Sequence, residues 1–536
     1  MRMLIEQQIF MHADLELFEC TGFYVVQQHQ KLFAFIAHRL GACRDRHAKR
    51  HLTTSQNDCH RKELTNDTVP IAAARIIEIG ARGTAYDIRL VSANNLDQPY
   101  VALSYCWGII PSLRTTKDTL HAHEQAVSLD ALPRILRDAV DISYRLGFHY
   151  LWIDALCIIQ DDEEDWEREA AKMVDVYRSA TLTVVAAAAS DSSEGCLVEA
   201  GPEATRYLEV KNAHVDLPEH FTLIPARPHF RGNVEKSTWN ARAWTMQERL
   251  LSRRIAYFAK DQVYWECNEE SVACDRGGMD LVRHPGELIM GTQESWFHLV
   301  KDYTTRKLTR ESDKLVAIAG LAEIRRGSTN DVYYYGLWRS GLHQGLLWYA
   351  HDESGYTTRI LPRYNIPTWS WAGMRGQILR ESWATDARPS ARVDVQDRML
   401  CLRTKARHVA LTQPLRRLQD DRQLELRATS AVVYDIRLRN KSLALMPADD
   451  RPQAREIGWA ALDEPNEAAS GQEYLAAVVS LNDLTGYEQD EEGEATWNVL
   501  LLSKCGAKEA FVRVGIGEVI VKDYFDDVEE SCINVA

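Results

Sequence analysis

The stretch LWIDALCIIQDDEEDWEREAAKMVDVY, residues 151–177, changes its hydrophobic period halfway along. Tyr150–Ile159 is a near-continuous apolar run, as expected of a strand buried on both faces. From Asp161 to Tyr177 the residues Trp166, Ala170, Met173 and Tyr177 recur at helical spacing, behind a cluster of acids suited to the positive end of a helix dipole. Working outward, TLTVVAAA from residue 181 reads as a later strand and VALSY at 101–105 as an earlier one. Between them, Leu132, Ile135, Ala139, Ile142 and Leu146 mark an amphipathic helix over 131–146, with Pro133 in its first turn and Gly147 at its end. The order β-α-β-α-β with short links predicts an α/β fold, a parallel sheet with flanking helices.

At 536 residues the chain is too long for one ordinary core, and two or three domains are expected. Residues 1–68 read as an N-terminal extension, with a helix suited to 23–40 and a polar, irregular remainder. A β-hairpin is expected at 69–95. The block WNARAWTMQERLLSRRIAYFAKDQVYWEC at 239–267 predicts a helix over 241–251, then two strands turning near Lys260–Asp261. The main domain is placed at 69–330 and a helical continuation at 331–389, with helical patterns across 285–350, notably SDKLVAIAGLAEI at 312–324 and GLWRSGLHQGLLWYA at 336–350. From 390 to 536 the alternation in QLELRATSAVVYDIRL and AFVRVGIGEVIV predicts a β-rich C-terminal region.

The net charge of −14 argues against general nucleic-acid binding, which needs a basic face. The longest apolar stretch, TLTVVAAAA at 181–189, is too short to span a membrane. Glu6, Asp14 and Glu16 interrupt what would be the core of a signal peptide, so a cytoplasmic location is expected. Eleven dispersed cysteines without a CxxC pair suggest reduced thiols. Cys43, His47, His51, Cys59 and His60 share a polar segment without a tight knuckle, and no metal site is expected there.

Ligands of a parallel sheet bind beyond the carboxyl ends of its strands. Here those ends are Ser104-Tyr105-Cys106-Trp107-Gly108 and Asp154 through Gln160. On the helix at 161–177, Glu169 lies on the flank of the buried stripe while Glu164, Arg168, Lys172 and Asp175 point away. It is the candidate catalytic carboxylate; a flank acid paired with an arginine fits the same geometry. Asp154, inside an apolar run, must be paired or hydrogen-bonded, either with Arg242 or with a ligand. Arg242 shares its block with Trp244, Gln247 and Glu248, and suits either a phosphate or an ion pair. Cys106 or Cys157 with His149 or His121 is a further nucleophile–base option, against the commoner buried structural thiol. Ser104 lacks the GxSxG elbow, which leaves it a ligand-contacting hydroxyl. No GxGxxG or GxxxxGK[ST] loop is present.

Three blocks together resemble the fungal heterokaryon incompatibility (HET) domain family: PYVALSYCWG at 99–108, LWIDALCIIQDDEEDWEREAAKMVDVYRSATLTVVAA at 151–187 and ARAWTMQERLLSRRIAYF at 241–258. SDKLVAIAGLA and PTWSWAG resemble segments that often follow that domain. The resemblance implies non-self recognition linked to programmed cell death, and a distant relation to TIR domains, with their flavodoxin-like parallel sheet and role in innate immunity. Many TIR domains cleave NAD at the nicotinamide–ribose bond with a glutamate in a helix after a strand. By that analogy Glu169 is the catalytic residue, and Ser104, Tyr105, Trp107, Gly108, Asp154, Gln160 and Arg242 line the nucleotide crevice. NAD is then a substrate and no cofactor is permanently bound. The rival expectation is a non-enzymatic signalling module that acts by self-association or with a protein partner.

Overall fold

The computed structural model describes residues 24–51, 70–197, 208–211, 220–223, 230–274, 291–351, 358–360, 365–380, 388–414, 443–447, 458–464, 473–482, 496–505 and 510–536, apart from short breaks at 83–84, 95, 109–112, 261, 269 and 522. In chain order the first elements are α1 (Tyr24–His51), β1 (Arg75–Arg82), β2 (Ala85–Ser92), β3 (Val101–Ser104), α2 (Leu120–Gln125), α3 (Arg134–Arg145), β4 (Tyr150–Trp152), α4 (Asp154–Cys157), α5 (Glu163–Ser179) and β5 (Leu182–Val185). A hairpin of β6 (Leu208–Lys211) and β7 (His220–Leu223) follows, then α6 (Trp244–Leu251), β8 (Arg254–Phe258), β9 (Val263–Cys267), β10 (Ser271–Ala273), α7 (Gln293–Tyr303) and α8 (Val316–Thr329).

Eight strands form one sheet in the order β10-β9-β8-β5-β3-β4-β1-β2. Its middle is parallel: β3 pairs with β4 and β5, and β5 with β8. The β1–β2 and β9–β10 hairpins extend it antiparallel on either side. Numbered along the chain, the parallel strands stand in the order 2-1-3-4, so the chain reverses its direction of travel at β3. Right-handed crossovers then put α3 on one face and α5 with α6 on the other, and α5 does pack against α6. The expected mixed α/β sheet with helices is present.

Three expectations change. The run at 150–159 is a strand only as far as Trp152 and then turns into α4. Asp154 causes the break, because its carboxylate accepts the Ala155 N–H at 2.7 Å and opens a helical turn. The segment 336–350 is not one helix. It forms short strands at Leu337–Trp338 and Trp348–His351 around a helical turn at Leu342–Gly345, since Gly336, Gly341 and Gly345 each disfavour a helix interior. α1 continues through His51 because its polar half holds Arg, Ala and Lys, which are good helix formers.

The C-terminal region is built of strands. Ala406–Pro414 pairs with Leu443–Pro447, that with Gly458–Leu462, then Phe511–Val519, Thr496–Lys504 and Glu473–Asn482, which returns to Ala406–Pro414. These six antiparallel ladders close a ring. Val409, Tyr474, Ala476, Val499 and Leu501 gather with Phe525 in a core of their own. Residues of opposite parity, such as Ala477, Leu500 and Leu502, join the main core, as strand alternation requires. The segment QLELRATSAVVYDIRL lies outside the described residues. No described helix is long and apolar enough to cross a membrane.

Candidate functional site at the carboxyl ends of the parallel strands

Ser104 ends β3 and is 1% exposed. Its hydroxyl accepts the indole N–H of Trp239 at 2.6 Å and donates to the carboxylate of Glu248. Glu248, on α6, is itself 4% exposed. Burial pushes its carboxyl up to about 7; Arg242 and the Ser104 hydroxyl oppose that rise, and the charge of Asp154 adds to it. A side chain near that value exchanges its proton at neutral pH, as general acids and bases must.

The rim is built by the two neighbouring strand ends. Trp107 donates its indole N–H to Asp154 at 2.8 Å, joining the ends of β3 and β4. Burial raises the Asp154 carboxyl, against the pull of Arg242 and of the Trp107 bond. The Arg242 guanidinium donates to the Tyr105 carbonyl, and its own value is raised, despite desolvation, by Glu248, Cys106 and Asp154. One cation thus balances two acids. Gln160 spends its amide on the carbonyls of Asp154 and Ile158, at 3.0 and 3.1 Å, and so shapes the turn that carries Asp154. Gly108 is exposed at φ +83, and a Cβ there would stand 2.3 Å from the Cβ of Asp191. The loops after β3 and β5 touch at this point, where no other residue fits.

Ser104, Tyr105, Trp107, Gly108, Asp154, Gln160 and Arg242 therefore come together. Glu169 is elsewhere. Its Oε2 accepts the Ala74 N–H at 2.8 Å and its Oε1 meets Lys172 Nζ at 3.0 Å, with Arg168 Nε at 3.5 Å. Ala74 leads into β1, which lies on the far side of β4 from β3. Next to it, Arg75 donates to the Cys157 carbonyl at 2.9 Å and pairs with Asp165. Asp165 and Glu169 of α5 thus fasten the entry to β1. The thiols of Cys106 and Cys157 are raised by burial, Cys157 to about 12. His149 sits against the Ile79 carbonyl at 3.2 Å and His121 faces Glu124, so neither histidine serves those thiols. Cys43 is buried beside Arg254; the side chains of His47, His51, Cys59 and His60 lie outside the described residues.

Two members of the group, Trp239 and Glu248, were not picked out from the sequence. The signal for Glu248 was present: Gln247, Glu248 and Arg249 are three successive polar residues in a helix, and all three are buried. Each points at a different neighbour. Arg249, for instance, reaches Glu266 at 3.2 Å.

Comparison with known proteins places a family match over the same part of the chain. Residues 100–248 match the family described as Heterokaryon incompatibility protein (HET), a span that begins just before β3 and ends on Glu248. Heterokaryon incompatibility protein 6, OR allele, of Neurospora crassa is 29% identical over 194 residues, which cover 28% of this chain and 27% of that protein. Vegetative incompatibility protein HET-E-1 of Podospora anserina is 22% identical over 234 residues, covering 42% of this chain and 14% of that protein. The match thus spans about a quarter or less of these relatives' own length. No solved structure matches the chain significantly. Residues 100–248 of this chain, which hold Ser104, Asp154, Arg242 and Glu248, are thus similar to the heterokaryon incompatibility (HET) family.

Proposed function

We propose that the chain acts in fungal non-self recognition, as its incompatibility relatives suggest, by hydrolysing NAD in the crevice at the ends of β3, β4 and β5. The observation that carries this reading is Glu248: a buried carboxylate at a strand end, held by Ser104 and balanced by Arg242. The parallel strand order 2-1-3-4 supports a flavodoxin-like, TIR-related sheet with its ligand crevice at the reversal point. A glutamate in a helix after a strand is what the TIR resemblance calls for, and Glu248 on α6 meets that description beside the crevice.

In the reaction the bond between the nicotinamide nitrogen and the ribose breaks, and its electron pair leaves with neutral nicotinamide. The ribose becomes an oxocarbenium ion, as in other glycoside cleavages. Ionised Glu248 stabilises that charge. Water then adds to the ribose carbon and loses a proton, giving ADP-ribose. Asp154 suits the ribose hydroxyls, Trp107 offers an indole face, and the donors of Arg242 not used by Tyr105 suit a phosphate. The test is a time course of purified full chain with NAD, in which nicotinamide and ADP-ribose are expected to rise in equal amounts. No release at high protein concentration, under conditions that also promote self-association, would replace this reading with a module that works by assembly.

A further inference from the structure

The turn 239–243 carries two parts of the crevice, Trp239 and Arg242, and it is held from outside the matched span of 100–248. The segment after α7 lies along it. Lys307 N–H donates to the Ala241 carbonyl at 2.7 Å, and Ala243 N–H donates to the Lys307 carbonyl at 2.9 Å. Arg242 and Lys307 therefore form a parallel β-bridge. One residue earlier, the guanidinium of Arg306 donates to the Asn240 carbonyl at 2.8 Å and to Thr245 Oγ1 at 3.2 Å, and pairs with Asp302 at 3.0 Å. Thr245 passes this on, since its hydroxyl is 2.7 Å from the Arg242 carbonyl and 3.1 Å from the Trp239 carbonyl. The Arg306 side chain is only 5% exposed, although its partner Asp302 is 54% exposed, so the bonds to Asn240 and Thr245 are the ones sheltered from solvent, where charge-assisted donors are strongest. The strap is anchored in turn: Thr304 Oγ1 accepts the Ile378 N–H at 2.8 Å.

We infer that Arg306 is a positioning residue of the crevice. Through Thr245 and the Asn240 carbonyl it fixes the turn that aims Trp239 at Ser104 and Arg242 at Glu248 and Asp154. The working unit of the crevice then extends past residue 248 to include the strap at 302–307, and whatever shifts the strap alters the site without touching the ligand. The catalytic consequence rests on the NAD reading; the positional one does not.

The experiment uses the full chain with its tryptophans labelled in nitrogen-15, the Trp239 indole resonance being assigned by Trp239→Phe. Arg306→Met keeps the apolar stem and removes the guanidinium. It is expected to move or broaden the Trp239 indole resonance while the Trp348 and Trp369 indoles stay in place, and to lower kcat/KM for NAD on the order of 10²-fold. Arg306→Lys, which keeps a charged donor, is expected to restore much of both. Should Arg306→Met fail to fold, Thr245→Val breaks the same link and is expected to move the same resonance. A Trp239 resonance that stays at its wild-type position in folded Arg306→Met or Thr245→Val overturns the inference. If wild type releases no nicotinamide, the NAD reading falls, while the resonance still decides whether the strap sets the turn.

Discussion

Glu248 is a carboxyl group that burial holds at about 7, well above its ordinary value, and this has two consequences of definite sign. The folded state binds a proton that the unfolded state has already released over the range between about 4.5 and 7. Wild-type stability is therefore expected to fall as pH rises through that window, by on the order of 3 kcal/mol. Glu248→Gln removes this contribution and is expected to flatten it, as urea titrations at pH 5 and pH 8 would show. A wild-type stability that rose through the window, other groups being matched by the variant, would contradict the assignment. The same proton governs the proposed chemistry, because only ionised Glu248 stabilises an oxocarbenium ion. Turnover is expected to climb with pH along an acid limb near 7. Much of the site was legible at this scale: Ser104, Asp154 and Arg242 follow from strand ends and the shape of an apolar run. Glu169, expected on the flank of the buried stripe, is 2% exposed. Helical periodicity shows which side of its own helix a residue occupies. It does not show which neighbouring segment lies there, and at Glu169 that neighbour is the backbone of Ala74.

Among the elements, α6 is enclosed on several sides, and this is why its polar residues were hard to read. An amphipathic helix advertises its core face; a helix buried all round has no such face, so Glu248 does not stand out. The approach of α8 to α6 and α5 depends on Gly320, where a Cβ would lie 2.2 Å from Val174 Cγ2 and 3.0 Å from Gln247 Oε1. Gly320→Ala gains about 1 kcal/mol of helix propensity but forces an overlap costing roughly 1–3 kcal/mol, because the branched Val174 has little rotamer freedom in a helix. A net loss is expected in thermal unfolding, and adding Val174→Ala is expected to recover most of it. If the single variant melts higher than wild type, the close approach is not as described. The β-α-β-α-β core was readable because its strands and helices have clean periods. The segment at 336–350 misled because its leucines and tryptophans sit at helical spacing while its glycines set the backbone.

Across the whole molecule, the strand ring is joined to the rest by a buried arginine. Arg513 is 0% exposed, meets Asp463 twice at 3.1 Å, donates to the Leu346 carbonyl at 2.7 Å, and lies 3.4 Å from the ring centroid of Trp348. Arg359 reaches the same Asp463 at 2.7 Å. Desolvation lowers Arg513 to about 10 against the pull of Asp463, so removing the acid strands two guanidinium groups. Asp463→Ala is expected to cost about 3–5 kcal/mol, read as a lower urea midpoint; a loss below 1 kcal/mol would show that the joint is not held this way. None of this was visible in the sequence, where Asp463 and Arg513 stand 50 residues apart in strands whose pairing is set by the fold. The central claim remains the proposal that the site at the ends of the parallel strands acts through Glu248. Nicotinamide release from NAD by wild type, Glu248→Gln and Glu169→Gln, each shown to be folded, tests it most directly. Glu248→Gln is expected to lose on the order of 10²–10³-fold in kcat while Glu169→Gln keeps most of its turnover, and the reverse pattern would contradict the account.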